Sequence, residues 1–155
     1  PKYSYIEDQV STGNDHYKWI TTDVWNADIA NQGGWDHNYR QFQAIVAGEA
    51  GSFDDATGIG SVLLNRMAVK GVTFNNNNWL YAISVHHKGR TVDQDIHSSY
   101  NAYGGTNYNA VMGMDAVTLA QSGYALRVAG ANEAYDGYME GFESLPLREK
   151  SSVVL

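Results

Sequence analysis

The stretch GEAGSFDDATGIGSVLLNRM, residues 48–67, sets one carboxylate, Glu49, at the end of one apolar helical pattern and opens a second pattern after a short polar loop. Upstream of it, Phe42, Ile45, Val46 and Glu49 stand at i, i+3, i+4 and i+7, which is one face of an α-helix. Asp36 or Asn38 is placed to cap the start of that helix, Gly51 to end it, and Asp54, Asp55 or Thr57 to cap the next. The second helix, about residues 56–70, has Ile59, Leu63, Leu64 and Met67 on one side and Val62 and Val69 on another. That distribution predicts a central helix covered on several sides.

Outward from this pair the signals weaken. GVTFNNNN (71–78) breaks the period and WLYAISV (79–85) resumes it as a short helix. Residues 86–109 are the longest polar stretch, and their length favours a functional loop over a plain connection. A second long helix is expected over about 110–128, carrying Met112, Ala116, Leu119 and Leu126, although Gly113 and Gly123 interrupt it. Asn132 is placed to cap a final helix holding Tyr135, Tyr138, Met139 and Phe142, closed by Pro146. Residues 1–37 show no sustained period and read as an irregular wrap, and the tail REKSSVVL as loose chain. The pattern gives a mainly α fold around two long central helices with long polar loops.

Composition sets further bounds. At 155 residues and 43% hydrophobic, the chain suits one domain with its own core, taken as residues 1–155. A net charge of −7 without a basic run argues against nucleic acid as a partner. There is no cysteine, so disulfides, thiolate metal sites and a Cys nucleophile are excluded together. No apolar run approaches the roughly 18 residues of a membrane span. Eleven Tyr and four Trp against four Phe favour rings with polar handles, suited to half-exposed clefts that stack on sugars. An opening Pro1 with no signal-peptide pattern fits a domain carried within a longer polypeptide.

If the Phe42, Ile45, Val46 face packs inward, Glu49 goes partly in with it. Burial disfavours the charged form of a carboxyl, and a proton kept near neutrality is what a general acid for a leaving-group oxygen needs. The plainer alternative is a frayed helix end with Glu49 in water. Cleavage of a glycoside usually takes a second carboxylate, for which Asp54 and Asp55 are the nearest candidates, unless they serve as helix caps. Arg66 falls among apolar neighbours on the helix wheel and should extend to solvent or hold a partner.

The letters Gly48, Glu49, Ala50, Gly51, followed by Val62, Leu63, Leu64, Asn65, Arg66 and Met67, resemble the cell-wall hydrolase family typified by the spore-cortex lytic enzyme SleB. There a Gly-Glu-Ala-small motif precedes an apolar helix ending in Leu-Asn-Arg and a hydrophobic residue. The resemblance implies a lysozyme-like fold that cuts peptidoglycan glycan strands, with Glu49 as acid and base. It favours a lytic transglycosylase, in which the sugar's own 6-hydroxyl attacks, over a muramidase that activates water. The family's Gln-Phe pair is absent from HHKGRTVDQDIHSSY (86–100), so Glu49 alone is carried over. A cell-wall substrate implies a secreted or periplasmic place of action, and no cofactor is expected. The Pro start, missing signal and compact size fit delivery on a larger carrier polypeptide, for example as a C-terminal toxin with a cognate immunity protein.

Within the polar stretch, Tyr100, Asn101, Tyr103, Asn107 and Tyr108 are the parts of a glycan groove, with glycines that let backbone approach a ligand. The same residue types also make ordinary loops. His86, His87, Asp93, Asp95 and His97 are the ligand types of a divalent metal site, but they lack the spacing of a zinc helix or a calcium loop. No metal site is assigned. The alternatives to a glycosidase are a non-catalytic glycan- or protein-binding module and a metal-dependent hydrolase using this His/Asp stretch.

Overall fold

A computed structural model describes residues 3–5, 18–20 and 33–143, with 3–5, 18–20, 142 and 143 described in backbone only. Most of the expected N-terminal wrap, Pro146 and the REKSSVVL tail lie outside the described residues. The protein is mainly helical, with seven helices among the described residues: α1 (Gly34–Glu49), α2 (Phe53–Lys70), α3 (Trp79–Ala82), α4 (Val92–Ser99), α5 (Thr106–Gly113), α6 (Ala116–Gln121) and α7 (Ala125–Glu143). Two short strands, β1 (Tyr3–Tyr5) and β2 (Lys18–Ile20), pair antiparallel with Tyr3 opposite Ile20. No helix of the described residues is long and apolar enough to cross a membrane.

α1 starts four residues before the expected boundary. It is entered through Gly33 and opens on Gly34, with φ of 75° and 87°, a region that favours glycine. Neither Asp36 nor Asn38 caps it. Asn77 does so from a distance, its Oδ1 accepting from the Gly34 N–H at 2.9 Å and from Asn38 Nδ2 at 3.0 Å.

The central helix is α1, not α2. Residues 38–40 and 42–47 of α1 are all buried, including Asn38, Arg40 and Gln43. These polar side chains bond inward. Asn38 Nδ2 donates to the Phe74 carbonyl at 2.7 Å, Gln43 Nε2 donates to Asn132 Oδ1 at 2.9 Å, and the Tyr39 hydroxyl donates to the same oxygen at 2.6 Å. Arg40 donates to the carbonyls of Val111 and Met114, placing a cation at the C-terminal end of α5. Burial presses the Arg40 pKa down to about 9, against the opposing pull of Asp115. α2 by contrast buries one stripe, Ala56, Gly60, Leu63, Leu64 and Met67, and leaves Val62 and Val69 exposed.

That stripe lies along α7. A Cβ on Gly60 would sit 2.8 Å from the Ala134 Cβ, and one on Gly130 2.6 Å from the Ala56 Cβ, so glycine on each helix permits a close seam. Position advances in the same direction on both helices along the seam, so α2 and α7 run parallel and α3 to α6 supply the crossover. Many of the aromatic rings go into the core rather than a cleft. Trp35 stacks on Tyr39 with centroids 5.1 Å apart, and Phe74 meets Tyr39 and Trp79 edge-on at 5.4 and 5.2 Å.

Three further expectations are corrected. The long helix over 110–128 is three pieces, because Met114 and Ser122 turn extended and Asp115 starts α6 by accepting the Thr118 N–H at 2.7 Å. Asn132 is not a cap but lies inside α7, fully buried. The polar stretch 86–109 is also partly helical, since Thr91 and Gln94 form a reciprocal capping box that starts α4.

Candidate active site

Glu49 is the last residue of α1, where Ala50 turns extended. Its side chain is exposed, which corrects the expectation of partial burial: the apolar face of α1 ends at Ala47, and Glu49 projects past it. The carboxylate is nonetheless held, Oε1 accepting the Ala102 N–H at 3.0 Å. Gly48 makes this contact possible, because a Cβ there would lie 2.6 Å from the Ala102 Cβ. Gly-Glu thus lets the 100–105 turn close over the helix end and then ties it down.

Arg127 serves the same corner. Its Nη1 donates to the Ala47 carbonyl at 2.9 Å and its guanidinium lies over the Tyr124 ring, 5.0 Å from the centroid. A cation on the free carbonyls of a helix C-terminus is stabilising. No periodicity in the sequence pointed to it.

Beside Glu49 runs a groove of about 710 Å³ whose walls include Asp54, Asp55, Ile59, Arg66, Tyr100 and Asn101. Asp54 and Asp55 are free to face it because Ser52 caps α2, its Oγ accepting the Asp55 N–H at 3.1 Å. The capping role considered for the two aspartates is therefore corrected. Tyr100 forms a buried wall. Its hydroxyl donates to the Ile83 carbonyl at 2.8 Å and accepts from Arg66 Nη1 at 3.0 Å. Arg66, itself exposed, thus holds the Tyr100 hydroxyl as its partner.

The remaining expected sugar contacts do not line this groove. Tyr108 is buried, its hydroxyl accepting from Gln41 Nε2 at 2.9 Å, while Gln41 Oε1 accepts from the Trp79 indole at 3.0 Å. Burial pushes the Tyr108 phenol up. Tyr103 donates to Asp93 Oδ1 at 2.9 Å and packs edge-on against Tyr108 at 5.3 Å; burial, then that hydrogen bond, raise its pKa. Asn107 accepts from the Tyr124 hydroxyl at 2.9 Å. These three brace the loop; Tyr100 and Asn101 are the two that meet Glu49 in one groove.

The His/Asp set is dispersed. His86 stacks on Tyr81 at 3.9 Å, His87 Nδ1 lies 3.1 Å from Asp95 Oδ1, His97 lies 3.2 Å from the Tyr103 carbonyl, and Asp93 binds the Tyr103 hydroxyl. Among the described residues no three His, Asp or Glu side chains are grouped to hold a metal ion.

Compared with family models, curated proteins and solved structures, the chain matches none.

Proposed function

We propose that the protein has a lysozyme-like fold and cleaves the glycan strands of peptidoglycan, with Glu49 as acid and then base. The observation that carries this reading is the placement of Glu49, tied by one oxygen only, in a groove that also holds Asp54, Asp55 and a Tyr100–Asn101 wall. In the free protein the carboxyl faces water. A sugar polymer laid in the groove displaces that water, and loss of solvent disfavours the charged form of a carboxyl.

Glu49 then gives its proton to the glycosidic oxygen as the bond to the anomeric carbon breaks. As carboxylate it takes the proton of the same sugar's 6-hydroxyl, whose oxygen closes onto that carbon to leave an anhydro end. Ala102 fixes Oε1 throughout, which leaves Oε2 to shuttle the proton. A muramidase differs in one step, in which Asp54 or Asp55 activates water and a reducing end results. With a net charge of −7 the protein gains no electrostatic attraction to an anionic wall, which fits delivery to a secreted or periplasmic site by a carrier polypeptide, with an immunity protein as partner.

A second reading has its own observation. The Glu49–Ala102 bond suffices to explain Glu49 as a loop tether in a non-catalytic glycan-binding module. Glu49→Gln separates the two, because its amide oxygen still accepts from Ala102 while it cannot act as an acid. Release of muropeptides from purified cell walls, followed by mass spectrometry, should be lost in Glu49→Gln with the circular dichroism spectrum unchanged. Retained release would remove Glu49 as the acid; binding without products from the unaltered protein would favour the module.

A further inference from the structure

We propose that a second arm of the trench, the one that does not reach Glu49, is a subsite for a carboxylate-bearing peptide branch with small apolar side chains; this rests on the glycan-cleaving reading. The arm has a volume of about 1010 Å³ and adjoins the Glu49 groove, sharing Val62, Arg66, Ser98, Ser99 and Tyr100 with it. A substituent on a strand that lies in the Glu49 groove would enter this arm.

The chemistry of the arm selects the substituent. In a chain with seventeen acidic and ten basic residues, this lining holds Arg66, Lys70, His86 and His87 and no Asp or Glu. Asp95, which His87 contacts from this lining, is buried and occupied: one of its oxygens receives the His87 backbone N–H at 3.1 Å and faces His87 Nδ1 at 3.1 Å. Val62, Arg66, Val69 and Lys70 fall at i, i+4, i+7 and i+8, so a single face of α2 alternates apolar and cationic side chains toward this arm. Val62, Val69 and Val85 share the lining and are 48%, 83% and 63% exposed, which leaves apolar surface between the cations for a ligand to cover.

Arg66 Nη1 is spent on Tyr100, and the rest of its planar fork has no further hydrogen-bond partner among the described residues. Such a fork matches a carboxylate in two parallel hydrogen bonds, with the Lys70 ammonium one turn further on for a second. Methyl-sized side chains between those carboxylates meet the valines. An acidic peptide rich in small residues, hanging from the strand in the adjoining groove, satisfies both requirements.

The test compares two substrates on the whole chain: soluble glycan strands bearing their peptides, and the same strands stripped of peptide by an amidase. The unaltered protein should cleave the peptide-bearing strands with a kcat/KM about tenfold higher, the scale of one or two charged hydrogen bonds. The Arg66→Gln/Lys70→Gln double variant, which removes both cations from the arm, should bring that ratio close to unity. An equal rate on both substrates, or a ratio unmoved in the variant, overturns the subsite and leaves the cleavage reading intact. Failure to cleave either substrate sinks the cleavage reading instead. In that event the peptide that the amidase releases from the strands, titrated by NMR, decides the subsite: saturable shifts in Val62 and Val85 lost in the variant support it, and their absence overturns it. Self-association in sedimentation that disappears in Val85→Asp overturns it as well, by making a second copy of the chain the occupant.

Discussion

Adding one methyl group at Gly130 should destabilise the protein, whereas the same addition at Gly137, two turns on in the same helix, should stabilise it. An ideal Cβ at Gly130 sits 2.6 Å from the Ala56 Cβ, 2.6 Å from the Phe53 carbonyl oxygen and 3.2 Å from the Thr57 nitrogen. Two of these atoms are backbone in the first turn of α2, so no rotamer change relieves them. α2 must withdraw from α7 by roughly 1 Å, which also opens the Gly60–Ala134 contact further along the seam. Overpacking of this kind costs about 1–3 kcal/mol, and a clash with fixed backbone belongs at the upper end. Replacing glycine by alanine inside a helix returns about 1 kcal/mol. The balance for Gly130→Ala is a loss of about 2 kcal/mol, or a Tm lower by about 4–8 °C for a chain of this size. At Gly137 nothing lies within 4 Å of the added carbon, so the helix term acts alone and stability rises by up to about 1 kcal/mol. Urea unfolding with a shared m-value reads both. A Gly130→Ala protein as stable as the parent would refute the close parallel seam of α2 and α7.

Three other outcomes are expected. Burial raises the Tyr135 phenol to about 12, so the folded state keeps a proton that the unfolded chain loses near 10; stability should be complete below pH 10 and decline as pH rises toward 12, less so in Tyr135→Phe, as followed by urea titrations across that range. Tyr108→Phe leaves the Gln41 amide without its acceptor and should cost about 1 kcal/mol in chemical denaturation, with no change in KM for glycan because this ring stands outside the groove. Arg127→Met removes the cation from the end of α1, which should cost about 1–2 kcal/mol and increase hydrogen exchange at the Ala102 amide as the Glu49 corner loosens.

The helical class was legible because α1, α2 and α3 carry their period openly, and Lys70 followed by Gly71, in the left-handed region at φ 68°, marks the end of α2. The identity of the central helix was not legible. Apolar periodicity scores Asn38, Arg40 and Gln43 as solvent-facing, yet each is buried against partners that are remote in sequence: the Phe74 carbonyl, the end of α5 and Asn132. The exposed valines of α2 misled in the opposite sense. Some missed structure did have a local signal. Thr91-x-x-Gln94 is a capping box, and Asp115 just past Gly113 is a helix start; both were obscured by reading polarity as loop.

The candidate site divides along the same line. Residue types pointed to Glu49, Asp54, Asp55, Tyr100 and Asn101, and the fold brings all five to one groove. What residue types cannot supply is which tyrosine is spent on its own loop. Tyr103 and Tyr108 have the same kinds of neighbours in sequence as Tyr100, and only the Asp93 and Gln41 contacts, across turns and between helices, take them out of the groove. The motif itself carries a meaning that a search for acids passes over. Glycine before the glutamate is needed on steric grounds, for without it the Ala102 turn cannot close on α1, and without that turn the Glu49 carboxylate has no fixed oxygen. Gly48 therefore orients the acid, and Arg127 anchors the helix end on which it stands. A carboxyl oriented in this way but left in water has, on the proposed reading, its surroundings completed by the strand that fills the groove.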